Sequence, residues 1–255
     1  MAGMKKFFLL FILSITAVWA SSIPSELLER LEIPQNLPET ELVAEIGKRW
    51  NQTGKERWEY ENRHEGLKDE LAPIFQKMGY LDEISPSQQK YDYAIVHGAT
   101  LARVKSRTAS LKKALASGVK INQIVFLTGM RELETWEKEA LPENIYWEWE
   151  MVEYVYQTSD LPKEIAVKII NAKAPSNQKR PSTIHTVAAW LEQKPTPGSC
   201  LAFSNQPYVP YQHAVLKNLL PEGLSLETVG DKAENWSVAL VLDTIAKTEK
   251  NYVEK

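Results

Sequence analysis

Tyr91-Asp-Tyr-Ala-Ile-Val-His97-Gly98-Ala-Thr100, followed by the helical spacing of Leu101 to Ala116 and by Ile124-Val-Phe-Leu127-Thr128-Gly129, decides the fold. A short apolar run ends in a polar residue and a glycine turn. A helix-period segment follows, then a second apolar run that also ends in a glycine turn. The order strand, turn, helix, strand, turn predicts a βαβ unit whose two turns both open at the carboxyl ends of parallel strands. That edge is where ligands bind in open α/β sheets.

Downstream the same alternation continues. Ala166 to Ile170 is a third strand candidate and ends at Asn171-Ala172, and a polar loop from Lys173 leads to the helix-capping pair Ser182-Thr183. The following helix buries Ile184, Val187, Ala188 and Leu191. Ser199 to Phe203 is the fourth strand, Leu224 to Val229 the fifth, and Val238, Val241, Leu242 and Ile245 mark the inner face of a last helix. Five strands alternating with helices predict a three-layer Rossmann-like α/β fold with a mainly parallel five-stranded sheet covered on both faces. The point where strand order reverses is expected between strands one and four.

Upstream the chain divides in two. Lys5 and Lys6 precede the apolar run Phe7 to Val18, and Ala20-Ser21-Ser22 offers a small-residue cleavage site, so residues 1–20 read as a signal peptide. The run is shorter than the ~20 residues of a spanning helix, which leaves an uncleaved N-terminal anchor as the alternative. Export, to the periplasm or beyond, is the expected destination. Residues 21–90 form an N-terminal helical extension, with stripes at Leu42, Val43, Ile46 and Trp50 and at Leu67, Leu71, Ile74, Phe75 and Met78. Pro73 predicts a kink or break in the second stripe. Residues 91–255 are the α/β domain. The segment Glu132 to Tyr156 reads as helix, loop around Leu141-Pro142, and helix from about Trp147, its tryptophans serving as core or cap contacts.

Composition narrows the function. Hydrophobic residues at 44% allow a sizeable core, and a formal charge of −3 without a basic stripe argues against a nucleic-acid partner. The single cysteine, Cys200, lies in an apolar run and reads as a buried inert thiol. There is no Walker loop, no three-glycine dinucleotide fingerprint and no zinc spacing, so the cofactor stays unknown and no metal site is assigned.

What remains is a ring of polar residues at one sheet edge. His97, Gly98, Thr100 and Arg103 follow strand one; Thr128, Gly129, Arg131 and Glu132 follow strand two; Thr183, His185 and Thr186 open a later helix; Ser204, Asn205 and Tyr208 follow strand four. Helix N-termini flanked by Gly, Thr and Arg favour a small anionic ligand, because free amides and the helix dipole face the crevice. In a catalytic version Arg103 and Arg131 hold the anion, the Gly98 and Gly129 amides approach it, and His97 or Glu132 handles protons. Each residue also has a plainer role: Thr100, Thr183 and Ser204 as caps, Gly98 and Gly129 as turn formers, His97 as a satisfied half-buried histidine.

Tyr91 to Gly98 with Arg103, Thr128-Gly129, Thr183-Ile-His-Thr186 and Phe203-Ser204, in this order over residues 91–246, resemble the SanA/YdcF-like family of bacterial envelope-associated proteins. The resemblance implies a Rossmann-like fold and an envelope location. The sheet-edge residues add the expectation of a small anionic ligand, phosphorylated or nucleotide-like, that the protein binds or acts on. The chain departs from the family pattern at Ala188 and Ala189, where an acidic residue and an asparagine are usual, and at Gln206-Pro207. A noncatalytic interaction or scaffold protein with an envelope partner is therefore the alternative. A serine hydrolase built on Ser204 is a third reading, without its Gly-x-Ser-x-Gly elbow.

Overall fold

The computed structural model describes residues 23–52, 54–55, 59–176, 178 and 180–253. The signal-peptide reading of residues 1–20 lies outside the described residues.

Five strands, β1 (Lys90–His97), β2 (Lys120–Gly129), β3 (Ala166–Ala172), β4 (Gly198–Asn205) and β5 (Leu224–Asp231), form one sheet in the order β3-β2-β1-β4-β5. All four pairings are parallel. This is the expected three-layer Rossmann-like α/β architecture. The chain moves outward from β1 to β2 and β3, then returns across both to place β4 on the far side of β1. The reversal between β1 and β4 is the switch point, where the loops diverge and leave a crevice.

Residue alternation divides the core between the two faces. Ala94, Val96, Ile124, Phe126, Leu201 and Phe203 pack under α4 (Leu101–Ala116) and α6 (Glu148–Thr158), meeting Val104, Leu111, Met151 and Val155. Tyr93, Ile95, Val125, Leu127, Cys200 and Ala202 face the other way, against Val187 and Trp190 of α7 (Thr183–Leu191) and Leu216 of α8 (Val209–Leu219). The thiol of Cys200 is buried, and burial, with the nearby Asp92 charge adding, raises its pKa to about 12. It is not a nucleophile at neutral pH.

The N-terminal helices have a core of their own making. α1 (Ser25–Arg30), α2 (Glu39–Trp50) and α3 (Lys68–Lys77) bury Leu27, Ile46, Trp50, Leu71 and Phe75 against Val238, Val241 and Ile245 of α9 (Val238–Val253). The extension thus shares its interior with the last helix of the α/β body. Two further ties hold it there: Ile84 and Gly230 exchange backbone hydrogen bonds of 2.9 and 3.1 Å, and Gln206 Nε2 donates to the Gly79 and Asp82 carbonyls. Pro73 does not break α3, which continues as a single helix from Lys68 to Lys77 with the proline inside it. Between Glu132 and Tyr156 the first helix is only a single turn, α5 (Thr135–Lys138), and the second starts at Glu148.

Trp50 is 3% exposed in this shared interior. Trp50→Ala is expected to destabilise the whole chain by about 3–5 kcal/mol, because the cavity opens against α9 as well as α2. Urea unfolding followed by tryptophan fluorescence and by circular dichroism should show one coincident transition at lower denaturant. Separate transitions for helix and sheet signals would contradict the shared core.

Candidate functional site

The loops leaving β1, β2 and β4 surround a cleft of about 990 Å³ at the switch point. Its floor is the β1 turn with His97, Gly98, Ala99 and Thr100. One wall is α4 and the β2 loop, with Arg103, Arg107, Arg131, Glu134, Trp136 and Glu148. The opposite wall comes from α7 and α8, with Thr183, Thr186, Tyr208, Tyr211 and Gln212, and the rim from Lys55, Tyr60, Arg180 and Lys247.

Of the residues expected from sequence, His97, Gly98, Thr100, Arg103, Arg131, Thr183, Thr186 and Tyr208 line this cleft, and Glu132, Thr128, Gly129, His185, Ser204 and Asn205 do not. The misses have identifiable causes. Glu132 points to solvent, where Lys138 pairs with it at 2.8 Å and pulls its pKa down. Thr128 is fully buried and, by strand alternation, lies on the α4 face with Phe126. At Gly129 an added Cβ would overlap Pro181 and lie 2.7 Å from the Ala172 carbonyl oxygen, so the glycine serves close packing. His185 caps α7: its Nδ1 accepts from the Ser182 amide at 3.0 Å. Asn205 bridges Arg107 Nε at 2.8 Å and Ser106 Oγ at 2.9 Å. Ser204 is 0% exposed, which removes the hydrolase reading.

Two of the expected roles also change. Arg131 was assigned to the ligand anion, but it is 8% exposed and saturated from within. Its Nη1 and Nη2 clasp Glu137 at 2.7 and 3.1 Å, its Nε donates to Glu148 Oε2 at 2.6 Å, and Nη2 also reaches the Ala99 carbonyl at 3.2 Å. Glu137 in turn accepts from the Leu101 amide at 2.9 Å, so the first amide of α4 already faces an internal carboxylate. Nor is the Gly98 amide free for a ligand, since it donates to the Leu127 carbonyl at 2.7 Å.

His97 is 3% exposed, and its Nε2 has no hydrogen-bond partner among the described residues. Burial, reinforced by the Arg107 charge, pushes its pKa down to about 3. The ring is neutral at pH 7 and cannot work as a proton shuttle tuned to neutrality. Arg107 holds the strand end in place through its Nη1, which donates to the His97 and Gly98 carbonyls at 2.7 and 2.9 Å.

No protein-family model, curated protein or solved structure matches this chain. Its chemistry rests on the cleft itself. Six cationic side chains line it, Lys55, Arg103, Arg107, Arg131, Arg180 and Lys247, against three carboxylates, Glu134, Glu148 and Asp243. Glu137 and Glu61, just outside the lining, pair with Arg131 and Lys55, so six cations meet five carboxylates and the excess of positive charge is small. Lys247 is held by Asp243 at 2.6 Å and Lys55 by Glu61. Arg103 is different: its guanidinium lies 4.6 Å from the ring centroid of Tyr208, and no hydrogen bond or salt bridge engages it among the described residues. Among the same residues no three His, Cys, Asp or Glu side chains converge as metal ligands.

Sequence reasoning missed Glu148, Gln212, Tyr60 and Lys247. Glu148 had a readable signal, because it opens the helix after β2 and so belongs to the same edge as the β2 loop. Tyr60 and Lys247 had none. They reach the cleft only because Asp243 of α9 accepts hydrogen bonds from the Gln52 amide at 3.0 Å, from the Tyr60 hydroxyl at 2.9 Å and from Lys247, drawing the N-terminal extension to the rim.

Two outcomes follow from the buried charges. Arg131→Met should cost about 3–5 kcal/mol at pH 7, because Glu137 and Glu148 would stay buried without their cation; chemical denaturation showing less than about 1 kcal/mol would contradict the network. For His97 the folded pKa lies below the unfolded value near 6.5, so its contribution is fully present above pH 6.5 and is lost as pH falls toward 3. Between pH 7 and pH 5 the native chain should lose about 2 kcal/mol more stability than His97→Gln. Equal losses in the two proteins would show that His97 titrates normally.

Proposed function

We propose that this chain binds a small anionic ligand, phosphorylated or nucleotide-like, in the switch-point cleft, and that it does so as an exported protein of the cell envelope related to the SanA/YdcF-like group. The observation that carries the binding reading is Arg103, which lies over Tyr208 with its hydrogen-bonding edges unengaged among the described residues, in a cleft whose lining holds more cations than carboxylates. A guanidinium presents paired donors that match phosphate or carboxylate geometry, and stacking fixes its plane before the ligand arrives. Thr100 at the start of α4 adds a hydroxyl beside the strand end, while the Thr183 hydroxyl at the start of α7 donates to Gln212 Oε1 at 3.4 Å. Tyr211 and Trp136 supply aromatic surface at the margins, suited to a ring or a sugar. The export half rests on Lys5, Lys6 and the apolar run Phe7 to Val18.

This is a binding role. His97, neutral and buried, and Glu132, in solvent, do not supply the acid and base of a catalytic version.

A thermal-shift panel of nucleotides, sugar phosphates, S-adenosylmethionine and cell-wall precursors tests the reading. A ligand at about a hundred times its dissociation constant adds roughly 2.7 kcal/mol and raises the melting temperature visibly. Arg103→Ala should abolish that shift and weaken the affinity at least tenfold, while the unliganded stability stays within about 0.5 kcal/mol. A panel without any hit, or a hit indifferent to Arg103→Ala, would move the weight to the scaffold reading.

A further inference from the structure

Glu148 is a carboxylate of the cleft wall whose two oxygens have unlike surroundings. Oε2 is fixed by Arg131 Nε at 2.6 Å. Oε1 accepts no hydrogen bond among the described residues and is not enclosed, lying against the Cα of Gly98 on the cleft floor. A Cβ at Gly98 would overlap this oxygen and lie 2.8 Å from the Leu127 carbonyl, so only glycine lets the carboxylate reach the end of β1. The glycine that sequence reading assigned to a turn or an amide donor is a notch for Glu148.

The charge count makes the placement more telling. Arg131 is already neutralised by the two-point clasp of Glu137, whose oxygens also accept the Leu101 and Glu134 amides. Glu148 is a second negative charge on the same guanidinium, with its side chain 11% exposed. Removing an extra carboxylate from water is costly unless another donor meets it. Burial raises the Glu148 pKa, the attraction of Arg131 works the other way, and the Glu137 charge adds to the rise. A fold needing only a structural ion pair is complete with Arg131 and Glu137.

We propose that Glu148 is a ligand-recognition residue, presenting Oε1 at the end of β1 to a hydroxyl or ammonium donor of the bound small molecule. Together with Arg103 it defines a two-ended ligand, with an anionic group at α4 and α8 and a hydrogen-bond donor at the Gly98 notch. Hydroxylated phosphates and zwitterions fit this description, and simple anions satisfy only half of it. The Glu148 end depends on its own geometry, and only the pairing of the two ends rests on the anion reading.

Glu148→Gln separates recognition from scaffolding. The amide oxygen keeps the contact with Arg131, so the NH2 group replaces Oε1 and turns an acceptor toward the cleft into a donor. In calorimetric titrations of the full-length chain, ethanolamine phosphate, whose ammonium can donate but not accept, should bind at least about tenfold tighter than propyl phosphate, which carries the same anion without that donor. In Glu148→Gln that preference should collapse while propyl phosphate affinity stays the same. A preference that survives the substitution, or two probes bound equally by the native chain, overturns the proposal. Erythritol and ethanolamine, neither of them an anion, form a second arm. If both phosphates fail but one of these raises the melting temperature of the native chain and not of Glu148→Gln, the anion reading fails and the Glu148 site stands. Silence in both arms overturns both.

Discussion

The Arg131 guanidinium, buried between Glu137 and Glu148, is the constraint on which the binding edge depends. It gathers three separate stretches of chain: the β1 turn through the Ala99 carbonyl, α5 through Glu137, and the start of α6 through Glu148. Through Glu137 it also reaches the first amide of α4. A parallel sheet ends in loops that have no ladder to hold them, and their polar groups need partners when buried. Here one cation and two carboxylates supply those partners.

On the other side of β1 the design differs. Arg107 crosses beneath the strand end, donating to two backbone carbonyls of the β1 turn and to Asn205 of β4, so it ties the two strands that diverge at the switch point. The polar groups around it are similarly engaged: Asn205 meets Ser106, and Ser106 Oγ reaches Asp231 at 3.4 Å. Such a network restricts the loop rotamers, because turning one side chain breaks several bonds at once. Arg103, one helical turn earlier on α4, is outside that network and faces the opening. Two arginines four residues apart on one helix thus differ in kind: Arg107 is held by backbone carbonyls and Asn205, and Arg103 stacks on Tyr208.

The strand and helix order was legible because the apolar runs are short, end in Gly or polar residues, and alternate with helix-period segments. The sheet edge carrying the site was legible for the same reason. Strand length was less so: β2 begins at Lys120, well before the apolar run at Ile124, since Ile121 and Gln123 pair with β1 through backbone groups that leave no mark on side-chain pattern. Pro73 misled because it sits in the second turn of α3, past the first-turn positions that tolerate proline, and the helix continues through it with Leu71, Ile74 and Phe75 buried.

Individual roles were harder to read than location, and the reason is electrostatic. A sequence gives the types of charged residues near an edge but not which of them neutralise one another. Arg131 and Arg103 look alike in the chain, yet the first lies among carboxylates that come from 6 and 17 residues further on. His97 looks like a proton carrier until burial beside Arg107 removes its charge. Gly98 looks like a turn until Glu148 is seen against it. In each case the deciding partner arrives on a different secondary-structure element. Among the described residues, the groups at this edge left without an internal hydrogen bond include the donor edges of Arg103 and Oε1 of Glu148.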